Sequence, residues 1–211
     1  DRPLEPIAGD RLSMKWFDAW LVSLERMSAT RANSVASLTL DIATPIVLLA
    51  AGSWLGDVRA VPALLVVMAG LLLFTLVEYC FHRWIFHGSR SLEAFRQGHW
   101  NHHVDPLCVA ALPFFLPPAL ILILVGLFDL AMPLGYAVLL AGAIACGYTC
   151  YDLSHYIIHN RRFRHPLGRR WAASHHIHHH HPDRNFGVTT PLWDYALGTR
   201  HVSASRRLGK P

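Results

Sequence analysis

Residues 61–87 read VPALLVVMAGLLLFTLVEYCFHRWIFH. No charged residue interrupts the stretch from Val61 to Val77. A helix of roughly 20 apolar residues crosses a bilayer core, so 61–81 reads as a membrane span. The span then runs straight into two histidines, His82 and His87.

Three further runs have comparable length: 35–55, 109–131 and 133–152. Asp41 and Pro45 make the first less secure, and Pro113, Pro117 and Pro118 should break or kink the start of the third. A soluble helical protein would have to bury all four runs. In 211 residues too little polar sequence remains to cover them. The expected fold class is therefore all-α, with four transmembrane helices and a helical, histidine-rich cap formed by 82–108 and 153–211.

Charge orients the chain. Four spans put segment 1–34, the link 82–108 and the tail from 153 on one side, and that side carries 18 of the 19 basic residues. Basic loops stay in the cytoplasm, so the cap and both termini are expected there. The net charge of +5 then reflects topology and anionic lipid contact, not nucleic-acid binding. No cleavable signal peptide is expected within 1–34, where MKWFDAWLVSLERM (14–27) reads as either an interfacial amphipathic helix or an ordinary solvated one. The four cysteines suggest no disulfide framework. Cys80 and Cys108 fall on the reducing side, and Cys146 and Cys150 fall inside the fourth span as small packing residues.

Fifteen histidines are present, and thirteen fall in four clusters; only His165 and His201 stand apart. Each returning span ends in a cluster, FHRWIFH (81–87) and YDLSHYIIH (151–159). Each is followed by a second cluster, HWNHH (99–103) and HHIHHHH (175–181). Positions i, i+3 and i+4 share one helix face. His99, His102 and His103 fit that spacing, and His155 and His159 are one turn apart. The last cluster fits it in two registers, 175/178/179 or 176/179/180, of which the first is preferred over the one using His176 and His180. His82 and His87 are five apart, which is poor for a single α-helical face. Either the helix ends between them or they serve different metals.

About ten convergent imidazoles exceed what one ion takes, and two metals fit the count. Imidazole suits iron, zinc, copper and nickel alike. Glu78 lies four residues before His82, and Asp152 three before His155. Each is placed to accept a ring N–H and fix a tautomer, or simply to solvate a helix end. A metal transporter would place ligands at mid-span, and none of the fifteen histidines lies there. A structural zinc cap would need far fewer ligands.

The order HxxxxH, HxxHH, HxxxH, HxxHH resembles the fatty acid hydroxylase and sterol desaturase superfamily. EYCFHRWIFH (78–87), HWNHHVDP (99–106) and YDLSHYIIH look like the boxes of its fatty acid 2-hydroxylase branch. NFGVTTPLWDYALGT (185–199) looks like the motif that closes the domain. The resemblance spans about residues 70–200. It implies His82, His87, His99, His102, His103, His155, His159, His175, His178 and His179 as metal ligands. It implies two metal ions, expected to be iron, with zinc an alternative in an isolated preparation, and O2 as co-substrate. The implied activity is O2-dependent hydroxylation of a fatty acyl chain, at C2 by the resemblance alone. A sterol or carotenoid hydroxylase or desaturase is the alternative. The spacer from His87 to His99 is shorter than in that branch. No cytochrome b5 domain is expected within the 211 residues, so a separate donor such as cytochrome b5, or ferredoxin with its reductase, is expected to supply electrons. Trp84, Phe86, Trp100 and Tyr156 are expected to pack around the boxes or to line the acyl channel. Trp193 and Asp194 are expected to anchor the final loop, with Asp194 alternatively orienting a ligand histidine.

Overall fold

The computed structural model describes residues 23–24, 26–56, 58–88, 93–107 and 112–202. Most of the amphipathic stretch 14–27, Cys108 and the end of the tail lie outside them. The described elements are all helical: α1 (Arg31–Trp54), α2 (Ala60–Cys80), a π-helical turn (Phe81–Phe86), α3 (Glu93–Val104), α4 (Leu116–Asp129), α5 (Leu134–Asn160), α6 (Pro166–His180) and α7 (Leu192–Ala196).

Three helices are long and apolar enough to cross a membrane: α1, α2 with its π turn, and α5. Helix α5 is the hub, with α1, α2 and α4 packed against it. Small residues make this close approach feasible. At Gly70 an added Cβ would lie 2.7 Å from the Ala143 Cβ, and at Gly147 it would lie 2.6 Å from the Phe74 ring. The outward faces of α1, α2 and α4 expose Ile46, Val61, Leu64, Met68, Leu122 and Ile123. Such a continuous apolar exterior needs a lipid solvent.

The third run differs from its expected extent. Helix α4 begins only at Leu116 and has 14 residues. At 1.5 Å per residue it reaches about 21 Å, short of a bilayer core of about 30 Å. Pro117 and Pro118 sit in its first turn, where a missing N–H leaves no hydrogen bond unmade. Before it, buried Asn33 of α1 holds the incoming chain, donating to the Leu112 carbonyl at 2.9 Å and accepting from the Phe114 N–H at 3.0 Å.

The first run is an unbroken helix despite Asp41 and Pro45, both buried. Pro45 has no N–H to give the Asp41 carbonyl four residues earlier. The Thr149 hydroxyl of α5 donates to that carbonyl instead, and the Asp41 carboxylate accepts from Ser37 Oγ at 3.1 Å. In an apolar surround each backbone group must find such a partner. Thr149→Val should therefore lower stability by about 1–3 kcal/mol, read as a lower midpoint in a detergent unfolding titration. An unchanged midpoint would refute this account of how α1 tolerates Pro45.

The fourth run extends beyond its expected end. Helix α5 continues unbroken to Asn160, so His155 and His159 ride on a membrane helix. Cys80, Cys146 and Cys150 are free thiols.

Candidate metal centre

Four segments bring ten histidines together in two groups of five: His82, His87, His99, His103 and His178, and His102, His155, His159, His175 and His179. Within each group the ligand-type atoms all lie within 4.8 Å of one another. The two groups adjoin, with the His103 and His179 rings stacked at 4.4 Å.

The spacings explain the sorting. In α3, His99 and His103 are one turn apart and enter the first group, while His102 turns into the second. In α6, His175 and His179 enter the second group and His178 the first. Each HxxHH motif thus straddles both groups. His176 and His180 lie on the exposed side of α6.

The helical path ends at Phe86, between His82 and His87 as one sequence alternative has it, and both histidines nonetheless fall in one group. The chain there is a π turn, whose i→i+5 bonding brings a residue five positions on back to nearly the same face. Such turns recur at functional sites.

In the first group His99 Nε2 faces His82, His87 and His103 Nε2 at 3.1, 3.0 and 3.0 Å. His87 Nε2 faces His178 Nε2 at 3.0 Å. In the second, His175 Nε2 faces His159 and His179 Nε2 at 2.9 and 3.1 Å. His82 and His178 use their Nδ1 positions on the carbonyls of Phe186 and Arg184, at 2.5 and 2.7 Å. Those Nδ1 atoms carry the protons, so the Nε2 atoms are bare lone pairs. One proton cannot satisfy three nitrogens around His99. In the second group the buried His102 and His155 Nε2 atoms have no hydrogen-bond partner among the described residues. Imidazole–metal bonds of roughly 2.0–2.1 Å at right angles put neighbouring nitrogens about 2.9 Å apart. Both groups therefore fit a metal ion.

Burial holds these imidazoles neutral. It lowers His87 to about 4, His102 and His178 to about 3 and His179 to about 2, with neighbouring imidazoles adding to the effect. His99 and His175 are lowered by the same causes. The unfolded chain binds protons on these residues below about pH 6.5 and the folded chain does not. Their contribution to stability is present above pH 6.5 and is lost as pH falls toward the folded values. With a chelator present, the melting temperature should drop from pH 7 to pH 5, and bound metal should oppose the drop. A flat profile would contradict this.

The 184–201 segment braces the site. Asp194 is fully buried. Its Oδ1 accepts from the Phe186 N–H at 2.9 Å and Thr199 Oγ1 at 2.7 Å, and its Oδ2 accepts from the Gly187 N–H at 2.8 Å. It thereby fixes the residue whose carbonyl holds His82. Asp194 itself makes no hydrogen bond to His82 and is linked to it only through the Phe186 backbone. Trp193 Nε1 donates to Thr75 Oγ1 at 3.0 Å, tying the loop to α2.

Glu78 acts on the loop and not on His82. Its carboxylate accepts from the Val188 and Thr189 N–H groups at 2.6 and 3.0 Å, and from the Thr189 hydroxyl. A backbone carbonyl takes the place expected for Glu78, because the loop fills the space beside His82. Asp152 makes no hydrogen bond to His155; the ring of Tyr151 stacks on that histidine at 5.9 Å. Asn185, with φ of 54°, donates to the Ser174 carbonyl at 3.1 Å and accepts from the His201 N–H at 2.7 Å. Asparagine tolerates that left-handed conformation. Of the aromatics, Phe86 stacks on His99 at 4.9 Å and Trp100 on His103 at 6.0 Å, while Trp84 and Tyr156 are more than half exposed. The carbonyls of Phe186 and Arg184 had no signal in the sequence, because any residue carries one.

A family model described as fatty acid hydroxylase matches residues 67–199. Human fatty acid 2-hydroxylase is 32% identical over 147 residues, covering 63% of this chain and 38% of the relative. A dihydroceramide fatty acyl 2-hydroxylase of Arabidopsis thaliana is 33% identical over 144 residues, covering 64% and 60%. A ceramide very long chain fatty acid hydroxylase of Saccharomyces cerevisiae is 29% identical over 166 residues, covering 74% and 43%. The chain thus spans between 38% and 60% of the length of these relatives. A solved structure of full-length scs7p, in which only the hydroxylase domain is visible, superposes with a TM-score of 0.66 at 26% identity, covering 85% of this chain and 70% of that one.

Proposed function

Because the chain belongs to the fatty acid hydroxylase family, we propose that it hydroxylates the acyl chain of a fatty acid or lipid at C2, using O2 and two iron ions held by the two histidine groups. The net reaction takes R–H, O2, two electrons and two protons to R–OH and water. Bound iron would supply the activation of O2 and the attack on the C–H bond.

The chain's own part is to hold and orient. Ten neutral imidazoles offer lone pairs without first shedding a proton. The Phe186 and Arg184 carbonyls set two ring tautomers. Phe86 and Trp100 stack on the rings of His99 and His103 and hold their planes. The acyl tail enters sideways from the bilayer. Names of the relatives, which act on fatty acids, ceramide and dihydroceramide, support the substrate class and the position.

In this reading α4 and the segment before it make a fourth crossing. The histidine cap and both ends of the chain then face the cytoplasm, consistent with the charge distribution. Electrons come from a donor such as cytochrome b5, or ferredoxin with its reductase.

The observation that carries the reading is the pair of adjoining five-histidine groups at the end of membrane helices. The test is mass spectrometry of hydrolysed total lipids from a host expressing the chain, with His102→Ala as control. A 2-hydroxy fatty acid made only by the intact chain is expected. Expressed, metal-loaded protein that makes no new acyl product would overturn the assignment and direct the search to sterols and carotenoids.

A further inference from the structure

Between the last histidine of α5 and the first ligand of α6 the chain reads RRFRHPLGRRWAAS, residues 161–174. Arg161, Arg162, Arg164, Arg169 and Arg170 are all exposed. No Asp or Glu occurs from 153 to 182. Among the described residues none of the five has an ion pair, and the nearest acid in sequence, Asp183, pairs with Arg184 at 3.1 Å. An uncompensated cationic surface of this density creates a long-range field that attracts acidic partners.

The arginine segment joins the two helices that carry the second histidine group. Arg161 follows His159 by two residues, and the His176 ring meets the His159 ring edge-on at 5.6 Å. His176 is exposed, in line with Arg169, Ala173 and His180 along the outer side of α6. It is therefore a surface residue in contact with a member of the second histidine group. Leu167, 66% exposed, adds an apolar contact point among the arginines.

We propose that the five arginines of 161–170, together with the exposed His176, form the docking surface of an acidic electron-transfer protein that delivers electrons to the iron that the second histidine group would hold. This rests on the hydroxylase reading, in which each turnover consumes two electrons. The reduced carrier gives up one electron per encounter and leaves oxidised. An anionic lipid surface would also attract arginines, but it would have no need of an exposed imidazole touching His159. Docking by charge predicts fast, salt-sensitive association.

The test uses the full chain in nanodiscs of phosphatidylcholine, which has no net charge, and the soluble haem domain of cytochrome b5 as the probe. Binding should weaken steeply with added salt. Changing Arg161, Arg162, Arg164, Arg169 and Arg170 together to Gln should weaken it more than tenfold, and the matching Lys variant should retain most of it. Metal reduction by the haem domain should slow in the Gln variant and in His176→Ala, while reduction by dithionite stays unchanged. Equal binding by the Gln variant and the wild type would overturn the proposal. So would a defect that appears only in phosphatidylserine membranes, which would assign the arginines to lipid. Wild-type protein that binds and is reduced as stated, yet yields no hydroxylated lipid, would sink the hydroxylase reading and leave the docking surface standing.

Discussion

His99→Ala is expected to abolish hydroxylation and to empty the first histidine group while leaving the second loaded. His99 Nε2 sits 3.0–3.1 Å from the Nε2 atoms of three other histidines, so it is the common neighbour of its group. Removing it takes one ligand and leaves a gap where the lone pairs of His82, His87 and His103 converge. Changes to groups that merely orient a ligand cost roughly 10–100-fold in metal affinity or activity, so the loss here should exceed a hundredfold. The second group draws on different histidines and should keep its ion. His180→Ala, on the exposed side of α6, is the control and should keep both. Metal analysis of the purified variants decides it. Loss of both ions from His99→Ala would mean that the two groups do not load independently. Retention of both would mean that His99 is not a ligand.

Asp194→Ala should be the most damaging change away from the ligands. The buried carboxylate accepts from three donors: the Phe186 and Gly187 N–H groups and Thr199 Oγ1. Hydrogen bonds to a charged group contribute about 1.5–3 kcal/mol each, and orphaned buried donors lose comparable amounts. Neighbouring terms do not add, so a total of at least about 3 kcal/mol is expected. The melting temperature should fall with and without metal. The Phe186 carbonyl would also lose its fixed position on His82 Nδ1, so first-group metal affinity should drop roughly 10–100-fold. Thr199→Ala removes one donor to Asp194 and the 3.0 Å contact to the Tyr79 hydroxyl, and should be milder. An Asp194→Ala protein that melts and loads metal like the wild type would refute the brace.

Much of this site was legible as spacing. HxxHH on a helix puts three imidazoles on one side, and two such motifs, each following a histidine pair at the end of an apolar run, pointed to one centre. What spacing did not carry was the division of each motif between two groups. His102 and His103 are neighbours in sequence yet belong to different groups, because α3 passes between α5 with the second group and the π turn with the first. The π turn was illegible for a related reason. Five-residue spacing conflicts with α-helical periodicity, and only the i→i+5 geometry resolves it. Glu78 misled because sequence separation places it beside His82, while the loop at 188–189, more than a hundred residues on, claims its carboxylate. Pro45 cast doubt on the first span because its compensation, the Thr149 hydroxyl, lies on another helix. The helix of the third apolar run is shorter than the run because Pro117 and Pro118 start a helix better than they continue one.

The two histidine groups are each expected to hold one metal ion with no other ligand type. The most direct measurement is elemental analysis of the purified full chain after iron loading, combined with X-ray absorption at the metal edge. Two ions per chain are expected, each surrounded by imidazole nitrogens, with the absorption signal lost on chelation at low pH. One ion or none per chain, or a shell containing thiolate sulfur, would contradict it.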